Sequence, residues 1–293
     1  MSSKPKTPLE HSIKSILANA TKQIQKQLED DTAETDARIL LQHCLQQSHS
    51  YLLTWPEKTL SKEEFHGFQK LLSRRLIGEP IAYIIGHREF WSMDLKVTSD
   101  TLIPRPETEL LVELALARIA EDNLKILDMG TGSGAIALAI ASEKPNCQVT
   151  ASDISSKALL VAKENAETFD LENICFIQSD WGDKISQQKF NIIISNPPYI
   201  EENDPHLKQG DLRFEPDIAL SSKLDGLADL IQIVKFAKQR LMEGGCLLLE
   251  HGFDQHLEVL ELLEEHGFSD LKFYNDIFGN IRVSGGTLFS DGD

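Results

Sequence analysis

The chain has 293 residues, 41% hydrophobic and 26% charged, enough for one large or two modest domains with a real core. No apolar run approaches the length of a bilayer span, and the start MSSKPKTPLEHSIKSI lacks the apolar stretch of a secretory signal, so no membrane association and a cytoplasmic location are expected. The formal net charge of −17 is unevenly spread: residues 1–80 hold 11 Lys and Arg against 10 Asp and Glu, the remaining 213 hold 18 against 36. A protein that wraps a polyanion carries a basic footprint, so this acidity argues against DNA or long RNA as substrate.

Cys44, Cys147, Cys175 and Cys246 have no paired spacing and read as reduced structural thiols. The nine histidines offer no pair with metal-ligand spacing, so no metal is expected, and His87 and His251 read as structural.

In chain order, SIKSILANATKQIQKQL, ETDARILLQHCLQQ and SKEEFHGFQKLLSRRL carry helical periodicity, with Thr35 and Ser61 as helix starts. They describe a small helical domain, either a packing appendage or a substrate-docking element. Residues 76–105 are punctuated by Gly78, Pro80 and Gly86, and YII, EFW and LKV look like short strands around turns, a hairpin linker. A helix is expected from Pro106, where Glu107 and Glu109 suit the dipole of its first turn. From Leu124 the pattern alternates: LKILDM, CQVTASD, ICFIQSD, FNIIIS and GGCLLLE as strands, helices between most of them, and two further strands at the end. Such alternation implies a parallel, doubly wound sheet covered on both faces.

The first of these strands runs into Gly130-Thr131-Gly132-Ser133-Gly134 and then a helix. Glycines there permit a tight turn and let a ligand approach main-chain N–H groups, but G-x-G-x-G is not the G-x-G-x-x-G of a dinucleotide fold. Asp153 ends the second strand; it is either a ribose-binding carboxylate or a helix N-cap, since Ser155 and Ser156 follow. The third strand ends in Asp180-Trp181, where an acid and an indole could hydrogen-bond and stack an adenine, although an isolated Trp is more often core. The fourth ends in Asn196-Pro197-Pro198-Tyr199. Ligands of open α/β sheets sit beyond the carboxyl ends of strands, so these four strand ends point at one crevice.

Glycine loop, acid and NPPY together resemble the class I S-adenosylmethionine-dependent methyltransferases that act on planar nitrogen. The stretches GEPIAYIIGHREFWSMDLKV, TLIPRPETELLVE, ILDMGTGSGAIALAIA, ASDISSKALLVAKENA, IIISNPPYI, GDLRFEPDIAL and GGCLLLEHG are similar to the peptide chain release factor glutamine methyltransferases, the PrmC or HemK family. NPPY alone is shared with DNA adenine methyltransferases; IPRPETE and RFEP make the resemblance specific. It implies a Rossmann-like seven-stranded α/β methyltransferase domain with a small all-helical N-terminal domain and a β-hairpin linker, divided as 1–78, 79–105 and 106–293. It also implies S-adenosyl-L-methionine as cofactor, and as substrate the Gly-Gly-Gln glutamine of class I release factors, methylated on its amide nitrogen.

Carried over by position, Gly130, Thr131, Gly132, Ser133, Gly134, Asp153, Trp181 and Asn196 would contact the cofactor, and Asn196, Pro197, Pro198 and Tyr199 would receive the glutamine. An amide nitrogen is a poor nucleophile and must be aimed. The Asn196 side-chain oxygen and the Pro197 carbonyl can each accept one of its N–H groups, and the Tyr199 face suits the positive charge that moves onto nitrogen. Glu215 and Pro216 of RFEP either shape the substrate mouth or close a loop. Asn191 departs from the FD that commonly precedes the fourth strand in this family. A monomer without stable nucleic-acid binding is expected; a DNA or RNA amino-methyltransferase and a non-catalytic adapter are the competing readings.

Overall fold

In the computed structural model, which describes residues 11–28, 31–185 and 187–289, the chain divides into two units after Gly86. The first is built from α1 (Ile13–Leu28), α2 (Ala33–Leu45), α3 (His49–Thr54), α4 (Lys62–Leu76) and α5 (Ile81–Ile85). Helix α1 buries Ile13, Ile16, Ala20 and Ile24, the three-and-four spacing of an amphipathic helix. Ser61 caps α4 reciprocally: its hydroxyl accepts from Glu64 N at 3.1 Å, and the Glu64 carboxylate accepts from Ser61 N at 2.6 Å. Helix α2 begins at Ala33 after Thr32, a turn earlier than the expected start; Thr35 lies inside it, where its hydroxyl accepts from Arg38 at 3.3 Å.

The segment YII is not a strand. It lies in α5, which starts after Pro80 and stops at Gly86 with φ +85. Its β-branched residues suggest a strand, but Pro before and Gly after bracket a short helix, and burial of Ala82, Tyr83 and Ile84 holds it.

The second unit opens with the hairpin β1 (His87–Phe90) and β2 (Met93–Lys96). Its two-residue turn places Trp91 and Ser92 at positive φ, 52 and 58, so Trp91 leaves the expected EFW strand. The turn is held from outside: Trp91 N donates to Glu109 Oε1 and Trp91 Nε1 to Glu143 Oε1, both at 2.9 Å. A short 3-10 turn, Pro106–Thr108, then leads into α6 (Glu109–Leu116).

The rest follows the alternation: β3 (Lys125–Met129), α7 (Ala135–Glu143), β4 (Gln148–Asp153), α8 (Ser156–Thr168), β5 (Ile174–Gln178), β6 (Phe190–Ser195), β7 (Ile200–Glu201), β8 (Ser221–Ser222), α9 (Ala228–Arg240), β9 (Leu241–Glu250), α10 (His256–Glu265), β10 (Phe268–Asn275) and β11 (Ile281–Leu288). Seven strands form one sheet in the order β10-β11-β9-β6-β3-β4-β5. Strands β5, β4, β3, β6 and β9 run parallel, whereas β11 is antiparallel to both β9 and β10. This is the Rossmann-like seven-stranded arrangement. Its order reverses between β3 and β6, so a crevice opens beyond their carboxyl ends.

Fully buried Ile126, Leu127, Ile193 and Leu248 anchor the central strands, which read as continuous apolar runs because helices cover both faces. Asn191 at the start of β6 accepts from Lys125 N at 2.9 Å and so ties the two central strands at their far end. The pair β7–β8 was not foreshadowed by the sequence; it joins the segment after NPPY to the end of the loop that carries RFEP. Among the described residues no helix is long and apolar enough to cross a membrane, and the four cysteines are free.

Candidate active site

A cavity of about 370 Å³ lies at the reversal point, within the range of small-molecule sites. Gly130, Gly132, Asp153, Trp181, Asn196 and Pro198 line it. The glycine loop hangs on β4: Gly130 N and Thr131 N both donate to Ser152 O at 2.9 Å. Gly130, Gly132 and Gly134 take positive φ, which side chains resist. A Cβ on Gly134 would also come within 2.7 Å of Leu138 Cδ1, so the third glycine seats α7 instead of facing the cavity.

Thr131 and Ser133 turn away from the cavity as well. The Thr131 hydroxyl donates at 2.6 Å to Asp128, a wholly buried carboxyl whose pKa burial pushes up to about 7, and the Ser133 carbonyl accepts from Asn165 Nδ2 at 2.9 Å. Their place in the motif is structural: they brace the turn that carries Gly130 and Gly132.

Asp153 is not the cap of α8; Ser155 is, accepting from Ala158 N at 3.2 Å. The Asp153 carboxylate instead accepts from Gly132 N at 2.9 Å and from Ser155 N at 2.8 Å. Burial raises its pKa, and these backbone donors work against that rise. Ile154 N is a third backbone donor, which still leaves the group able to accept a further hydroxyl. Trp181, at φ 38, brings its ring edge to 3.4 Å from where a Cβ on Gly130 would stand, and its Nε1 donates to Asp229 Oδ1 at 2.7 Å. Asp229, in the first turn of α9, gave no signal in the sequence. Asp180 lines the cavity beside the indole but is exposed.

At the other wall, Asn196 Nδ2 donates to the Thr108 hydroxyl at 3.1 Å, which leaves Oδ1 without a donor among the described residues. Thr108 is 4% exposed and belongs to the PETE stretch. Pro197 is buried, and Pro198 reaches the cavity. Tyr199 points behind the motif: its hydroxyl lies 3.5 Å from Glu250 Oε1 at the end of β9. Burial, reinforced by Glu250, pushes the Tyr199 pKa up and keeps the phenol neutral. Glu250 is wholly buried and Oε2 has no hydrogen-bond partner among the described residues. Burial raises its pKa to about 7 against the opposing effects of the Thr108 hydroxyl, Arg282 and Tyr199. The backbone of Tyr199 is fixed too, since its carbonyl accepts from Gln255 Nε2 at 3.1 Å and a Cβ on Gly226 would stand 2.2 Å from it.

Residues 15–86 match the PrmC N-terminal domain model and residues 106–211 the methyltransferase small domain model. The release factor glutamine methyltransferase of Aliivibrio fischeri is 51% identical over 262 residues, 89% of this chain and 92% of that protein. The enzyme of the same name from Escherichia coli is 44% identical over 273 residues, 93% of this chain and 98% of that one. The chain belongs to the release factor glutamine methyltransferase family. A methyltransferase from Pyrococcus furiosus, 19% identical, superposes with a TM-score of 0.51 over 75% of this chain and 99% of that one, a likeness of fold alone.

Within this family member the RFEP stretch has a definite place. The Glu215 side chain is fully buried, accepts from Ile103 N at 3.0 Å and pairs with Arg105. It therefore clasps the loop between β7 and β8 to the IPR stretch ahead of α6. Pro216, Ile218 and Ala219 on that loop, with Asp100 to Leu102 opposite, form the outer rim of the cavity. RFEP thus closes this loop, and its Pro216 reaches the rim of the cavity.

Proposed function

We propose that the chain transfers the methyl group of S-adenosyl-L-methionine to the side-chain amide nitrogen of the glutamine in the Gly-Gly-Gln motif of class I peptide chain release factors. The observation that carries this is the setting of Asn196, whose nitrogen is engaged by Thr108 and whose oxygen is left to accept. Relatives named release factor glutamine methyltransferase, matched over most of both chains, support the choice of substrate.

The residues fit the cofactor. Asp153 supplies an ionisable acceptor for ribose hydroxyls, Gly130 and Gly132 let main chain approach a ligand, and Trp181 offers an apolar wall for adenine. When bound, the cofactor supplies a methyl group on a positively charged sulfur. Asn196 Oδ1 and the Pro197 carbonyl accept the two N–H groups of the glutamine amide, fixing its direction and raising the electron density on nitrogen. Pro197 and Pro198 keep those acceptors aimed with little entropy left to lose. Charge growing on the substrate nitrogen meets carbonyl dipoles, with the Tyr199 phenol and the Glu250 carboxyl behind them. The methylated amide is a strong acid at that instant and gives its proton to water without a dedicated base.

The helical residues 1–78 serve as the docking element, 79–105 as the linker and 106–293 as the catalytic domain of a cytoplasmic monomer that does not hold nucleic acid stably. Labelled S-adenosylmethionine, incubated with release factor, its Gln→Ala Gly-Gly-Gln variant and nucleic acid, tests the reading. Label is expected on the wild-type factor alone; label on DNA or RNA and none on the factor assigns the chain to the base-modifying enzymes instead.

A further inference from the structure

A carboxamide has an oxygen and a nitrogen of nearly equal shape, and only its neighbours decide which of them faces a ligand. At Asn196 the decision is critical under the reading above, on which this inference rests: turned over, the side chain would present N–H groups to a substrate NH₂, donor against donor. The NPPY segment itself contains nothing that prevents this. The neighbour that does is Thr108, 88 positions away, whose hydroxyl accepts from Asn196 Nδ2 at 3.1 Å.

A hydroxyl could donate to Asn196 as readily as accept, so Thr108 alone does not fix the polarity. Behind it lies Glu250, a buried carboxyl whose ionised form the Thr108 hydroxyl favours, with Oε2 in no hydrogen bond among the described residues and the Tyr199 phenol at 3.5 Å from Oε1. Burial lifts the Glu250 pKa to about 7, so as pH rises through that value the carboxyl is ionised and only accepts. It draws the single hydroxyl hydrogen of Thr108 to itself, leaving Thr108 a lone pair to offer Asn196. We infer that Thr108, polarised by Glu250, is a positioning residue that holds the Asn196 amide with its oxygen toward the substrate. Arg282 and Glu107 bear on Glu250 with opposite sign, the arginine favouring the ionised form. The placement of Thr108 is rigid, because it ends the 3-10 turn that begins at Pro106 and is buried there.

The test compares wild type, Thr108→Val, Thr108→Ser and Glu250→Gln in steady-state methylation of release factor, with cofactor Kd measured separately by calorimetry. Valine keeps the shape and removes the hydroxyl, so kcat is expected to fall roughly 10- to 100-fold with KM and cofactor Kd little changed, while serine restores most of the rate. Glu250→Gln can donate as well as accept, so it releases the polarity and is expected to lower kcat by about 3- to 10-fold without altering cofactor Kd. A Thr108→Val enzyme within about twofold of wild type, or a serine variant as slow as valine, overturns the inference. If valine does not fold, an unchanged kcat in Glu250→Gln overturns it equally. A wild-type enzyme that leaves the release factor unlabelled overturns the functional reading itself, a result distinct from any of these.

Discussion

The two walls of the cavity are assembled by different means. On the glycine-loop side the acceptors and donors come from neighbouring strand ends: Asp153 binds Gly132 N and Ser155 N, and the loop itself hangs on Ser152 O of the adjacent strand. On the Asn196 side every orienting bond comes from afar, with Asn196 tied to Thr108 across 88 positions and Tyr199 set against Glu250 across 51. The first wall is held mostly by backbone bonds, with the Asp153 carboxylate tying its loop. The second is mostly side chain, and its aim depends on buried residues that never reach the cavity.

Breaking the second wall at its centre should have the largest effect. Asn196→Ala removes the acceptor on which the direction of the amide depends, and turnover is expected to fall about 10³-fold, near 4 kcal/mol of transition-state stabilisation, while cofactor still binds. Near-normal turnover in single-turnover assays would remove Asn196 from the chemistry and erase the distinction between the walls. Glu215→Ala tests the rim in the same spirit. It leaves Arg105 and Ile103 N without their buried acceptor, and a loss of about 3 kcal/mol in urea unfolding is expected, with a raised KM for release factor. An unchanged unfolding midpoint and KM would mean that the clasp neither holds the fold nor shapes the mouth.

This contrast explains what was legible in the sequence. The doubly wound sheet could be read because apolar runs and helical periods alternate, and the glycine loop, Asp153, Trp181 and NPPY could be placed because each sits at a strand end. The line between lining residues and bracing residues could not be read: Thr131, Ser133 and Gly134 belong to the motif, yet they face Asp128, Asn165 and Leu138. Thr108, Asp229 and Glu250 gave no chemical signal because their partners lie 48 to 88 positions away, and only the packed sheet brings them together. Thr108 did lie in a stretch that marks the family. In the linker, the two Ile of YII favour a strand, but Pro80 and Gly86 bracket it as the helix α5.

Acidity separates the walls more gently. Glu250 ordinarily titrates near 4.5 and is raised to about 7 by burial, so between those values the folded chain holds a proton that the unfolded chain has lost. Its contribution is therefore present in full below 4.5 and fades as pH climbs through about 7, and Asp128, raised to about 7 by burial, acts in the same direction. On this ground stability should fall by on the order of 2 kcal/mol from about pH 5 to pH 8 for Glu250 alone. Denaturant unfolding across that range checks it: Glu250→Gln should flatten part of the slope, and a slope identical to wild type would show that Glu250 is ionised throughout.

The smallest effect belongs to the backbone wall. In Asp153→Asn the carboxamide can still accept from one of Gly132 N and Ser155 N but must turn an N–H toward the other, and it offers one acceptor fewer to a ribose. The loop keeps its anchors on Ser152 O, so the damage should stay local. Cofactor Kd is expected to rise about tenfold, near 1.4 kcal/mol, with kcat at saturating cofactor within about twofold of wild type. Titration calorimetry together with saturating kinetics separates the two quantities. If kcat fell along with affinity, the glycine-loop wall would be aiming the reaction as well as holding the cofactor, and the division of labour between a backbone wall that binds and a side-chain wall that orients would fail.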